Sequence, residues 1–174
     1  MLIQEITREE SLKLLARMHL GRLACAQGTQ PYVTPVYFAY DDHYHLYSSS
    51  TAGQKIDWMR ANPLVCVEMD EVVSFHDWVS IIIFGRYEEL LDTSDWTPER
   101  AHAYELLQRI AMWWEPAYAK TIVSGVERPL VSIFYRIQIT QITGHRATPD
   151  SPRGIDARAP AKEGSIKKWP RKLT

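Results

Sequence analysis

The chain is poor in the features that mark several protein classes. Among 174 residues there are only two cysteines, Cys25 and Cys66, each inside an apolar stretch. That excludes a disulfide framework and suits a cytoplasmic protein. No apolar run approaches the length of a bilayer span; the longest, from Val79 to Phe84, is broken by Ser80, so no membrane partner is expected. The opening MLIQEITREE has neither a basic start nor an apolar core, so no secretory signal is expected. A Gly-x-Gly-x-x-Gly fingerprint and a Walker A loop are both missing, which argues against a Rossmann domain or a P-loop. His43 and His45 stand two apart on an expected strand with no third ligand near them, so no metal site is expected.

What is present is ordinary globular material, 45% apolar and 24% charged, enough for one domain with a modest core. Net charge is −1 but unevenly spread. From Arg146 to Thr174 there are eight basic and three acidic residues, or +5; the remainder has twelve and eighteen, or −6. The tail has one aromatic residue, Trp169. It reads as a solvated extension over 147–174 behind a domain at 1–146, and no nucleic acid partner is expected.

Local signals order the elements. Thr7 with Glu10 forms a capping-box pattern, opening a helix over about 8–19 that Gly21 closes. Strands are expected at Arg22–Ala26, Tyr32–Tyr40, His43–Ser48, Leu64–Met69, Val79–Leu91 and Leu130–Ile142, the last closed by Thr143 and Gly144. Asp70–Asp77 reads as a loop. A short helix spans Gly53–Ala61, and a third begins at Thr97-Pro98 and reaches about Trp114. Trp113 and Trp114 are adjacent, so they point in different directions, one toward core and one toward solvent, a flavin or a partner. Hairpin-short links imply antiparallel pairing. The fold class is therefore mainly β with peripheral helices, a six-stranded antiparallel barrel closed to remove its edges. Pro35 cannot donate to a ladder, so the second strand has an edge, a bulge or a local opening there.

The densest chemical signal is Tyr47-Ser48-Ser49-Ser50-Thr51 followed by Lys55. Hydroxyls and a lysine at the start of a helix suit a phosphate monoester. The same residues also suit a simpler arrangement, with Ser50 or Thr51 capping the helix and Lys55 solvated.

Five segments recur in a family order: Gly21-Arg22-Leu23-Ala24, Pro31 to Phe38, Tyr44 to Lys55, Asn62-Pro63-Leu64-Val65-Cys66, and Trp78 to Leu90 with its Phe84-Gly85-Arg86-Tyr87. Ile142-Thr143-Gly144 resembles the closing segment. Together they resemble the pyridoxamine 5'-phosphate oxidase-like family, in its flavin-nucleotide-binding and nitroimidazole-resistance-like branch. The resemblance implies a split β-barrel homodimer with FMN at the subunit interface. It implies backbone groups of Val33, Thr34, Pro35 and Val36 facing the flavin ring. Ser48, Ser49, Ser50 and Lys55 would hold the ribityl chain and phosphate, with Trp78 and Ser80 near the isoalloxazine. His76 is a candidate proton donor to a small-molecule substrate. The fuller basic phosphate-binding set of true pyridoxamine phosphate oxidases is missing, so vitamin B6 oxidation is not implied. The expected function is an FMN-dependent oxidoreductase passing electrons from a reduced nicotinamide-type donor to a small electrophile. A non-catalytic flavin module is the alternative, as is the same barrel using deazaflavin or haem.

Overall fold

The computed structural model describes residues 1–110, 122–123, 126–127 and 131–149. In chain order the elements are β1 Leu2–Glu5, α1 Arg8–Leu15, β2 Leu20–Gln27, β3 Gln30–Tyr37, β4 Ala39–Tyr40, β5 His45–Thr51, α2 Gln54–Ala61, β6 Leu64–Ser74, β7 Asp77–Glu89, α3 Thr97–Leu107, β8 Ile122–Val123, β9 Val126–Glu127 and β10 Ser132–Thr148. The six expected strands are all there, as β2, β3, β5, β6, β7 and β10. Two short strands, β1 and β4, bring the main sheet to eight, and β8 and β9 pair separately. Trp113, Trp114 and the tail from residue 150 lie outside the described residues.

The sheet runs β3-β2-β6-β7-β10-β5-β4, with β1 on β10, and every pairing within it among the described residues is antiparallel. Its two ends, β3 and β4, are consecutive in the chain and separated only by Phe38, so the sheet curls back on itself. One bond extends the β2–β3 ladder past Tyr37, and another ties β5 to β3. The Phe38 N–H donates to the His19 carbonyl at 2.7 Å, and the Ser48 hydroxyl donates to the Tyr37 carbonyl at 2.8 Å. No ladder joins β3 to β5, however, so the barrel is split along that seam.

Alternation explains the core. In β7 the residues Val79, Ile81 and Ile83 point inward and are buried. They meet Leu23, Val67 and Met69 from β2 and β6 and Ile137 from β10. Gly85 is required in this wall: a Cβ there would lie 2.5 Å from Ile137 Cγ2 and 2.7 Å from the Gln138 carbonyl. The helices cover the openings. Leu14 and Leu15 of α1, and Ile56 and Met59 of α2, join the barrel core, while Ala103, Leu106 and Leu107 of α3 pack on Ala39 and Tyr47.

Several expected boundaries move. Helix α1 carries the capping box of Thr7 and Glu10 but ends at Leu15, capped by Ala16. Gly21 does not stop it; Gly21 sits inside β2, where a Cβ would meet Val67 Cγ1 at 2.8 Å. The expected loop at Asp70–Asp77 is the extended end of a hairpin. Ser74 pairs with Asp77, and the polar residues find cations, Asp70 with Arg22 and Glu71 with Arg17. The last strand runs through Gly144, which lets Ile6 approach; a Cβ there would lie 2.8 Å from it. His43 and His45 do not share a strand face. The chain turns between β4 and β5 with positive φ at Asp42 and Tyr44, and the Asp41 carboxylate accepts from the N–H groups of His43 and His45. Thr97 is the first residue of α3, not its cap, and the helix ends at Leu107.

One polar latch ties α2 to the sheet. Arg60 donates two bonds of 2.7 Å to Glu89, which also accepts from the Tyr87 hydroxyl at 2.8 Å. The Arg60 bond holds the Glu89 carboxyl below the usual carboxylate range. Its stabilisation is therefore complete above the unfolded value near 4.3 and is lost as pH falls through the lower folded value. Replacing Glu89 with Gln should cost about 1–3 kcal/mol at pH 7. Urea melts of both proteins should show that gap closing on acidification; a gap independent of pH would mean the carboxylate charge is not what holds α2.

Candidate functional site

A cavity of about 340 Å³ opens along the seam between β3 and β5. Its walls are Leu20, Pro35, Val36, Tyr37, Ser49, Ser50, Lys55 and Leu107. The seam is why it exists. Because β3 pairs only with β2, the backbone groups on its other edge face the cavity without a neighbouring strand. Pro35 has no N–H and cannot recruit one at its position.

Five expected site residues meet here: Pro35, Val36, Ser49, Ser50 and Lys55. The others lie elsewhere. Ser48 is buried behind the wall, its hydroxyl committed to the Tyr37 carbonyl. Val33 points outward and is 61% exposed, and Thr34 faces the opposite way, half-buried. Trp78 and Ser80 stand on the outer face of β7. The register passes from Pro35 to Arg22, Glu68 and Ile82, three strand spacings or about 14 Å. Trp78 borders a separate shallow groove with Glu71 and Arg146. His76 is at the tip of the β6–β7 hairpin, its ring edge-on to Phe75 at 5.0 Å. Leu20, Tyr37 and Leu107 complete the cavity. Leu107 comes from a helix some fifty residues beyond Lys55, and nothing local to it signals the role.

The geometry decides between the two readings of the serine run. The N-cap of α2 is Gly53, which has no side-chain cap bond. Neither Ser50 nor Thr51 caps the helix; the Ser50 hydroxyl donates to the Thr51 carbonyl at 3.1 Å. Ser49 is half-buried, and its hydroxyl has no protein partner among the described residues. Lys55 is not solvated. It is half-buried, with no carboxylate beside it among the described residues, and burial pushes its ammonium below the usual lysine range. The Cys25 thiol, which burial pushes up, adds a smaller opposing effect. A desolvated cation and a free hydroxyl at one end, with the apolar Leu20, Pro35, Val36 and Leu107 along the rest, can take an anion carried on a flat apolar body.

Comparison with known proteins accounts for this arrangement. The family model described as pyridoxamine 5'-phosphate oxidase matches residues 7–146. The chain belongs to that family. An uncharacterised protein of Rhizobium meliloti is 37% identical over 147 residues, covering 84% of this chain and 97% of the relative. The crystal structure of a FAD-binding protein from Mesorhizobium loti is 40% identical, covers 86% of this chain and 99% of its own, and superimposes with a TM-score of 0.69. A structure from Bacteroides thetaiotaomicron, named for 5-nitroimidazole antibiotic resistance, shares the fold at 19% identity, with coverage of 84% and 89% and a TM-score of 0.58. The split barrel is thus the family's fold. Among the described residues no cluster of His, Cys, Asp and Glu could hold a metal ion, and no helix is long and apolar enough to cross a membrane.

An unpaired half-buried cation costs folding energy and is retained only where something else uses it. Replacing Lys55 with Met should therefore raise the melting temperature of the ligand-free protein by a few degrees. Calorimetry checks this; a fall in melting temperature would show that the ammonium is already compensated within the chain.

Proposed function

We propose that the chain is a flavoprotein that holds FMN in the seam cavity and acts as an oxidoreductase. The observation that carries this reading is Lys55, a half-buried cation without a counter-ion among the described residues, in a cavity it shares with the hydroxyls of Ser49 and Ser50 and the apolar Leu20, Pro35, Val36 and Leu107. The residues fit the group. Lys55 and Ser49 would take the phosphate, the apolar walls would take the ring, and the unpaired edge of β3 would hydrogen-bond its polar rim. Flavin, when bound, supplies one- and two-electron redox chemistry. The chain's own part is to bind and orient it and to exclude water from one side. No Gly-x-Gly-x-x-Gly segment is present, so a nicotinamide donor would bind only in passing. The acceptor would be a small electrophile.

A cavity of about 340 Å³ is near the lower end for a ligand site, which supports a site completed by a second copy. The outer sheet face suits that role. Val33, Ala24, Cys66 and Phe84 form one row across β3, β2, β6 and β7, with Leu20 and Tyr37 exposed beside them. Trp78 and Ser80 stand on this same face, so in a homodimer they would lie over the partner's flavin. His76, outside its own cavity, would give a proton only to the partner's site. The absence of a disulfide between Cys25 and Cys66 suits the cytoplasm. FAD is the second reading, favoured by the FAD-binding relative at 40% identity.

The purified protein, with FMN or FAD added if colourless, should show a flavin absorption spectrum at one flavin per chain. Stopped-flow mixing with NADH or NADPH should bleach it. Dilution below the dimer dissociation constant should release the flavin. Failure to bind either flavin would overturn the proposal; binding without reduction by any nicotinamide would leave a flavin-binding module and overturn the enzymatic part.

A further inference from the structure

A second cavity, of about 160 Å³, backs onto the first. Among its walls are His19, Ala39, Tyr40, Asp42, Leu106 and Arg109. Three short stretches of chain contribute residues to both cavities: His19 and Leu20, Tyr37 and Ala39, Leu106 and Leu107. Between the two lies Phe38, fully buried and pinned by its N–H to the His19 carbonyl at 2.7 Å.

The chemistry of the second cavity is cationic and uncommitted. The Arg109 guanidinium and the His19 imidazole are exposed, and neither makes a side-chain hydrogen bond or ion pair among the described residues. Asp42 is its single carboxylate. An arginine fork free of any protein acceptor at a concave surface is suited to a carboxylate or a phosphate.

Its position indicates which anion. Helix α2, which carries Lys55, sets its Trp58 ring against Tyr32 at 5.7 Å, and the Asn62 side chain at its end donates to the Ala26 carbonyl; Tyr32 is paired with Cys25 in the β2–β3 ladder, whereas Leu20 is paired with Tyr37. Those two rungs are five residues apart, or about 17 Å along the strand. The second cavity adjoins the Leu20–Tyr37 rung, the end remote from Lys55. A flavin anchored by its phosphate at Lys55 would direct its ring toward Tyr37 and thus toward the second cavity.

We infer that His19 and Arg109 form a second anion site, which binds the carboxylate or phosphate of the small molecule that exchanges electrons with the flavin. Its use rests on the flavin reading above; its existence does not. The substrate class is then an anionic small molecule, held by its charged end while its reactive end reaches past Phe38 toward the ring.

Inorganic phosphate is the probe, titrated into the full-length protein with and without FMN and read by the His19 imidazole signals in NMR. A saturable shift is expected. Replacing Arg109 with Gln should weaken it about tenfold, as loss of a charged hydrogen-bond partner does, and should leave FMN affinity unchanged. Replacing Lys55 with Gln should leave the phosphate affinity at His19 unchanged. No saturable shift, or equal affinity in R109Q, would overturn the site. Loss of the phosphate response when FAD replaces FMN would show that the cavity holds the second half of a dinucleotide, and would overturn the substrate assignment. If neither flavin binds, the flavin reading fails alone, and the titration of the flavin-free protein still decides whether the anion site exists.

Discussion

The seam between β3 and β5 is the constraint on which the rest of the molecule depends. A sheet of this kind would normally close, because unpaired strand edges are costly inside a protein. Here the two ends meet at Phe38, whose N–H extends the β2–β3 ladder to His19, and among the described residues one side-chain bond crosses from β5 to β3, from the Ser48 hydroxyl to the Tyr37 carbonyl. Past that point β3 carries Pro35, which cannot donate, and β5 carries a run of hydroxyls. The strands diverge rather than pair, and the gap becomes the cavity. Helices complete it: α2 delivers Lys55 from one side and α3 delivers Leu107 from the other.

Burial and charge then act against each other in a way that marks the seam as functional. The half-buried arginines among the described residues have carboxylates, as Arg100 has Asp92, Arg136 has Glu88 and Arg146 has Glu10. Lys55 has none. The chain holds an ammonium where solvent is scarce and supplies no counter-ion among the described residues, a combination that destabilises the empty fold and stabilises a bound anion.

Much of this was legible in the residues. The β-favouring runs such as Val79–Leu91 and the turn residues between strands give the six long strands, and Pro35 already signals a strand with an edge or opening. The short strands β1 and β4 were not legible, since four and two residues carry too little periodicity. Glycine misled twice. Gly21 and Gly144 read as punctuation, but each is a mid-strand position where another side chain presses against the backbone. In the site, the serine run and Lys55 were visible because they are consecutive with a helix start. Leu107 and Arg109 were not, because only the packing of α3 against β4 and β5 brings them to the cavities, and His19 was not, because nothing in the link between α1 and β2 marks it. Trp78 and Ser80 came from family resemblance, and one chain places them about three strand spacings from Pro35, so their role depends on a second copy.

The most direct test of the central claim compares FMN with riboflavin, which lacks only the phosphate, in the native protein and in the Lys55→Ala variant. The account predicts that the native protein prefers FMN by tenfold or more, about the worth of one charged hydrogen bond, and that the preference collapses in the variant while riboflavin affinity holds. Equal binding of FMN and riboflavin by the native protein, or a preference that survives loss of Lys55, would contradict it.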